Sequence, residues 1–332
     1  MTANGARLAA GICAGVLMIV VAAAQSSAQS YKAPKTPWGD PDIQGNYTNL
    51  TEAGTPLERP KEFEGKQLGE ISAEELRTLK RQAADRTINN FLGPTEAPDN
   101  WWQVAYRNAE NGAQAWLVVD PPDGKIPPLT PEAQQRQQAA AEARKRNTRG
   151  PADSYTDRSL YDRCITRGFP NSGMPTIYGN SSQIVQGPGF VAITYEMIHD
   201  TRVIPLTSAP HVGQGIRSDF GDSRGHWEGD TLVVETTNFL GRSTYRNANA
   251  DRLKVTERFT PVGPKTLKWT VTLDDPTTWT KPWTFSLPLT LNASEPMMPY
   301  ECHEGNYGLK NILSAARADD AKAAAASQSS QP

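Results

Sequence analysis

The sequence has little cysteine, little histidine and almost no net charge, and these shortages narrow the kinds of protein it can be. Only 3 cysteines occur among 332 residues, which excludes a small scaffold held together by many disulfides. The 34 basic and 36 acidic residues nearly balance, so no excess of positive charge favours nucleic acid as a partner. Neither a phosphate-binding loop nor a dinucleotide fingerprint is present. The aromatic share of 8% is nevertheless enough to build a core.

The first 28 residues have the pattern of a secretory signal. Arg7 supplies the positive start, an apolar run covers 8–24, and Ser26-Ser27-Ala28 provides the small residues of a cleavage site. A single membrane anchor is the alternative interpretation. We expect an exported protein, periplasmic or secreted, without stable membrane insertion once the signal is removed.

Export changes the interpretation of the cysteines. Cys164 and Cys302 are the two that remain after the signal, and an even number in an oxidising compartment predicts one disulfide between them. Two separate buried thiols are the alternative.

The rest of the chain divides by composition. Ser72 begins a capping box that predicts a helix from about Ala73 to Arg86, and Thr130 followed by a proline predicts a second, polar helix. Short strands separated by Gly, Pro and Asp turns fill the second half. The predicted regions are an extended and helical segment with one hairpin (29–150), an antiparallel β domain (151–315) and an Ala/Ser-rich tail (316–332).

The β-rich half predicts the fold class. No long helices alternate with its strands, which disfavours a parallel sheet. We therefore expect a mainly β protein, an antiparallel meander that forms a barrel or a sandwich, with helical N-terminal insertions.

Two residues of this half are candidates for lining a cavity. Period-two alternation over 253–259 places Glu257 on an apolar face, where a carboxylate must be paired or protonated. It either contacts substrate or forms a structural salt bridge, for example to Arg202. Trp279, with Trp283 nearby, lines a cavity mouth or belongs to an ordinary core.

All four histidines lie in the β-rich half beside turn residues, and most have carboxylate neighbours. A neighbouring carboxylate fixes the tautomer of an imidazole and raises its basicity. The catalytic candidates are His199, Asp200, His226, Asp222, Arg224 and Glu228. The candidates for substrate binding are His211, Glu257, His303, Glu304 and Trp279.

Three interpretations of the histidines stay open. They perform acid–base catalysis, they hold a metal, or they brace turns through hydrogen bonds. Their spacing matches no compact metal-ligand motif, so no cofactor is expected and a divalent metal has no support from the pattern. A Ser–His–Asp triad with Ser218 or Ser223 lacks the usual nucleophile elbow.

Several long runs carry a family resemblance. GDSRGHWEGDTLVVETTNF (221–239) and CHEGNYGLKNIL (302–313) are the most distinctive, together with EMIHDTRVI (196–204) and DRCITRG (162–168). The chain resembles a widespread family of uncharacterised exported bacterial proteins, and the similarity covers most of the mature chain. The resemblance implies export and a β-rich fold. DIQGNYT (42–48) is also similar to the G-x-W opening of lipocalins, with tyrosine in place of the Trp, which is an analogy of architecture.

These observations lead to one main functional hypothesis. We expect an exported enzyme, a hydrolase, lyase or isomerase, that uses His and carboxylate acid–base chemistry on a small, partly apolar molecule in a barrel cavity or cleft. The alternatives are a non-catalytic periplasmic binding or carrier protein, and an interaction protein of the cell envelope. The pattern indicates no oligomeric state.

Overall fold

The short strands build a nearly closed antiparallel barrel, as the meander spacing predicts. This computed structural model describes residues 31–92, 112–146, 152–176, 178–242, 244–294 and 296–329, so the predicted signal at 1–28 lies outside the described residues. The chain from Tyr31 onward forms one compact unit. Its strands are β1 (Gly45–Thr48), β2 (Val118–Asp120), β3 (Ser181–Gly187), β4 (Phe190–Tyr195), β5 (Thr201–Pro205), β6 (Asp222–Glu228), β7 (Thr231–Thr237), β8 (Lys254–Gly263), β9 (Thr266–Asp274) and β10 (Trp283–Leu291).

The sheet order follows the chain on both sides of β1. Strands β3, β4 and β5 extend from one edge of β1, and β10, β9, β8, β7 and β6 extend from the other. The two ends of this path meet through one parallel bridge between Leu206 and Gly225. A Cβ on Gly225 would lie 2.9 Å from side-chain atoms of Ile204 and of Leu206, so glycine lets the seam approach closely. The arrangement is a barrel rather than a sandwich.

The helices begin where their capping signals predict. Helix α1 (Ala73–Leu92) has Ser72 as its N-cap, whose Oγ accepts from the Glu75 N–H at 3.2 Å while Glu75 accepts from the Ser72 N–H at 2.9 Å. Helix α2 (Pro131–Arg146) begins after Thr130, and Ala133 is its one buried residue. Among the described residues, no helix is both long enough and apolar enough to span a bilayer.

Two elements differ from the sequence prediction. Val118–Asp120 pairs with β10 and not with 125–126, so the expected N-terminal hairpin is wrong, although its turn forms through a Gly124 N–H to Pro121 carbonyl bond of 2.9 Å. Much of the Ala-rich tail is helical, as part of helix α3 (Gly308–Ser329). Alanine is the strongest helix former, which accounts for the helix in a segment that the sequence analysis assigned by composition alone.

The barrel interior is filled by aromatic side chains. Trp269 and Phe285 pack edge to face with their ring centroids 5.6 Å apart, and both are buried. The segment 162–176 contributes the buried Phe169 to this core, where its ring stacks on that of Phe239 with the centroids 6.3 Å apart. A Cβ on Gly173 of this segment would lie 2.6 Å from the indole of Trp269, so the backbone presses directly on the core. These contacts fill most of the interior with apolar side chains.

One ion pair lies inside this aromatic core. Glu257 is fully buried, as the strand alternation predicts, and its Oε1 accepts from Arg202 Nη2 at 2.6 Å and from Trp269 Nε1 at 2.9 Å. The Arg202 guanidinium also lies over the Phe169 ring, 4.3 Å from its centroid. Burial disfavours the charge on Arg202, but Glu257 and the buried Tyr195 outweigh that effect and hold its pKa above the ordinary value. Of the two interpretations of Glu257, the salt bridge to Arg202 is the one the structure contains.

We expect E257Q to destabilise the fold strongly. The substitution leaves the Arg202 charge in the core without a counter-charge, a situation that costs about 3–5 kcal/mol. Urea unfolding monitored by tryptophan fluorescence measures the change in the free energy of unfolding. The matched control is E228Q, which removes an exposed carboxylate from the outer face of β6 and is expected to change stability little. Equal effects of the two variants would contradict a central role for the buried pair.

Candidate active site

The best-formed histidine–carboxylate pair joins His211 to Asp222. His211 lies in the loop between β5 and β6, and Asp222 is the first residue of β6. The imidazole Nδ1–H donates to Asp222 Oδ2 over 2.8 Å, and the Val212 backbone N–H donates to the same oxygen over 3.1 Å. Arg224 Nη1 donates to the other carboxylate oxygen at 2.6 Å. Asp222 and Arg224 can meet because residues two apart on a strand share a face.

This geometry fixes the proton on one ring nitrogen. A carboxylate only accepts hydrogen bonds, so Nδ1 of His211 carries the hydrogen and the neutral ring keeps its lone pair on Nε2. Burial alone would raise the pKa of Asp222, but the hydrogen bonds from His211, Val212 and Arg224 together lower it. Asp222 therefore stays ionised and holds the imidazole in the basic tautomer.

His211 borders an open cleft with an excess of positive charge. The cleft has a volume of about 220 Å³ and lies between the 211–217 loop and the start of β8. Its apolar surface comes from Val212, Ala250 and Leu253. Its charged lining residues, besides His211, are Arg217, Asp251, Arg252 and Lys254.

The walls of the cleft are held by polar contacts. Arg217 pairs with Asp251 at 2.5 Å, and Lys254 pairs with Glu235. Asn238 has a left-handed φ of 59° and donates from Nδ2 to the Val212 carbonyl at 2.9 Å, which fixes the loop beside His211. Arg252 has no ion-pair partner among the described residues, which leaves its charge available to the cleft.

The structure places His226 and Glu228 elsewhere. Both lie on the outward face of β6, where His226 Nε2 and Glu228 Oε1 are 3.3 Å apart and both side chains are about half exposed (55% and 49%). Arg258 also donates to Glu228, and this hydrogen bond contributes most to lowering the pKa of the Glu228 carboxyl. Neither His226 nor Glu228 lines the His211 cleft.

His199 and Asp200 face different partners. His199 is exposed, has a φ of 45°, and its Nδ1 lies 3.1 Å from the Tyr300 carbonyl oxygen. Asp200 accepts from Thr166 Oγ1 at 2.9 Å and from Ser172 Oγ at 3.2 Å, both in the segment 162–176. Burial raises the pKa of Asp200, although these bonds oppose the shift. The residues brace a turn at the barrel rim.

The remaining candidates also lie apart from the cleft. The predicted disulfide is present, with the Cα atoms of Cys164 and Cys302 5.7 Å apart. His303 and Glu304 follow it on the exposed surface. Trp279 is buried and packs edge to face on Trp283 at 5.6 Å. Of the predicted set, the structure brings His211, Asp222 and Arg224 together beside the cleft, and it pairs His226 with Glu228 away from it.

Sequence reasoning missed the residues that complete the cleft. Arg217, Asn238, Arg252 and Lys254 come from three separate stretches of the chain, and no local motif links them. The signals that point to them are weak: a Gly-rich loop after His211 and a positive-φ Asn at a strand end.

Two further findings concern metal ligands and related proteins. Within the described residues, no three His, Cys, Asp or Glu side chains are grouped so that they could hold a metal ion. No protein-family model, curated protein or solved structure matches the chain.

We expect D222N to lower stability at neutral pH and to lose this effect in acid. The pKa of Asp222 is lower in the folded than in the unfolded chain. Its contribution to the free energy of unfolding is therefore complete above the ordinary pKa of about 4, and it is lost as the pH falls through the lower folded-state pKa. The loss at neutral pH should be about 1–3 kcal/mol, because three donors lose their ionised acceptor. Urea unfolding from neutral to acidic pH measures this difference. The exposed control D251N should show little change, and a D222N deficit that persists unchanged in acid would contradict the assignment.

Proposed function

We propose that this chain is an exported enzyme that moves a proton with His211, oriented by Asp222, in the cleft at the start of β6. The observation that carries the proposal is the carboxylate-held imidazole, 2.8 Å from Asp222, at the edge of an open cationic cleft. Perturbed or oriented titratable groups in a cleft are the usual mark of an acid–base site.

The chemistry follows from the groups present. The lone pair on Nε2 of His211 acts as the general base, and the imidazolium that forms is stabilised by Asp222 and then returns the proton. Arg252, with Arg217 and Lys254, stabilises negative charge that develops on the substrate or holds an anionic group of it. Hydrolysis, elimination and isomerisation each need these two functions. The apolar wall suits a small, partly apolar molecule.

The proposal assigns different roles from those expected from the sequence. His211 replaces His226 and His199 as the base, because neither of those lines the cleft and neither is held by a partly buried carboxylate as His211 is by Asp222. Asp222 keeps its orienting role. Arg224 is assigned to holding Asp222, because its Nη1 donates both to Asp222 Oδ1 and to the Ser223 carbonyl.

The histidine substitutions test the catalytic proposal. Two readouts cover the reaction classes: hydrolysis of a panel of 4-nitrophenyl esters, and proton–deuterium exchange by NMR for a panel of small carboxylic acids. We expect H211Q to lose about 10²–10⁴-fold in rate on whichever compound the wild type turns over. The matched control H226Q, which alters an exposed histidine that also has a carboxylate neighbour, should retain full activity.

The opposite outcomes are informative. Activity that survives in H211Q, or is lost equally in H226Q, would contradict the assignment. Saturable binding of a panel compound that disappears in H211Q, without turnover by the wild type, would instead support the binding or carrier protein.

Export is tested separately. Signal removal after Ala28 should give a mature chain whose N-terminus is Gln29, as read by N-terminal sequencing and intact mass of protein from a Gram-negative host. Recovery of the uncleaved chain in the membrane fraction would favour the anchor instead.

A further inference from the structure

We propose that a second site, a groove beneath helix α2, binds a small organic anion that carries a hydrocarbon group. Two neighbouring cavities of about 370 and 380 Å³ form this α2 groove, and they share Gln137 and Asn247 as lining residues. Their combined size is that of an ordinary small-molecule site. The groove has no lining residue in common with the His211 cleft.

The charge of the α2 groove has one sign. Arg136, Arg144 and Arg246 line it, and none of its lining residues is acidic. Arg136 is already engaged, since it pairs with Glu132 at 2.8 Å and donates to Thr278 Oγ1 at 2.8 Å. Arg144 and Arg246 have no carboxylate partner among the described residues. Two such guanidinium groups facing one groove favour an anion.

The other end of the groove is apolar. Ile126, Pro127 and Leu129 line it together with Trp279, whose ring is buried against Trp283. A free inorganic anion would leave this surface uncovered. A ligand with a charged head and a hydrocarbon tail would cover both ends, and this combination determines the chemical class that we propose.

The backbone at the groove is held in an unusual conformation. Arg246 and Asn247 are consecutive non-glycine residues with φ of 52° and 61°. Their flanks are fixed, because Tyr245 stacks on Trp283 at 6.2 Å and the Asn249 N–H donates to Asp275 Oδ2 at 2.7 Å. Strain of this kind persists only where surrounding contacts enforce it, and it concentrates at ligand sites. Here it places Arg246 and Asn247 in the wall opposite α2.

The position of α2 supports the same conclusion. A polar helix with one buried residue gains little from packing. It is nonetheless docked through Thr130 Oγ1 to the Thr277 carbonyl at 2.7 Å and through Arg136 to the same residue at 3.1 Å. A ligand held between α2 and the 245–249 loop gives this docked arrangement a function.

Calorimetric titration tests the proposal with defined probes. Phenyl phosphate and 4-phenylbutyrate are the anionic probes, inorganic phosphate lacks the hydrocarbon group, and 4-phenylbutanol lacks the charge. We expect the wild type to bind both anionic probes, and to bind inorganic phosphate and the alcohol more weakly. The double variant R144Q/R246Q should weaken phenyl phosphate at least about tenfold, since each lost charge-assisted contact alone accounts for about that factor.

Matched controls separate a site from a diffuse charge effect. K145Q removes one positive charge from the neighbouring, outward position on α2 and should change affinity less than about twofold. H211Q should bind as the wild type does, which keeps this result independent of the catalytic proposal. The single variant R144Q alters an exposed helix position and guards against misfolding at the strained Arg246.

Three outcomes would overturn the proposal. The wild type binds neither anionic probe at millimolar concentration; or K145Q weakens binding as much as R144Q does; or inorganic phosphate binds as tightly as phenyl phosphate, so that the apolar end plays no part.

Discussion

The buried pair of Arg202 and Glu257 is the constraint around which the barrel is organised. Arg202 belongs to β5 and Glu257 to β8, strands that lie on opposite sides of β1 in the sheet order. A charge pair in an aromatic core is stable only if both partners stay in place, because either one alone is a buried unpaired charge. The pair therefore specifies which strands face each other across the interior. Phe169 packs on the same guanidinium, so the segment 162–176 is positioned by the pair as well.

A core filled in this way determines where chemistry can occur. Trp269, Phe285 and Phe169 occupy the space in which a barrel of this kind would otherwise hold a ligand. The two sites that we propose therefore lie outside this core. One stretch of chain serves both: residues 246–247 line the α2 groove, and 250–254 line the His211 cleft. Asp275 fixes this stretch between them through Asn249.

Local signals in the sequence predicted local structure well. The Ser72 capping box, the proline after Thr130 and the turn residues between strands gave element types and starting points that the structure confirms. The class of the fold and the disulfide followed from the same kind of reasoning. The pairing of strands distant in the chain could not be predicted in this way. Strand β2 pairs with β10, although the nearest segment that could pair with it along the chain is 125–126. Such a choice depends on tertiary packing, which a single sequence does not display.

Pro288 shows how far a local rule extends. A proline predicts an edge or a bulge, yet Pro288 lies inside β10 and faces Lys268 of β9. On the other side of β10, β1 reaches only 290–291 and β2 only 284–285, so Pro288 occupies the gap between them. Strand β10 is central in the sheet, but at Pro288 its side opposite β9 has no paired strand. The preference of proline for positions without a partner strand is therefore satisfied, because no neighbouring strand needs a hydrogen bond from a backbone N–H at Pro288.

The site shows the same division between local and distant information. Asp222 and Arg224 were both candidates from the sequence, but as neighbours of His226. The imidazole that Asp222 contacts is that of His211, eleven positions away along the chain, and two histidines with closer carboxylates competed with it. What distinguishes His211 from the other histidines is its place beside a cleft lined by cations. The chain as a whole has a net charge of −2, so no overall field attracts an anion. The anion binding that we propose therefore depends on local groups of cations. One carboxylate lies among the residues that line the His211 cleft, and none among those that line the α2 groove.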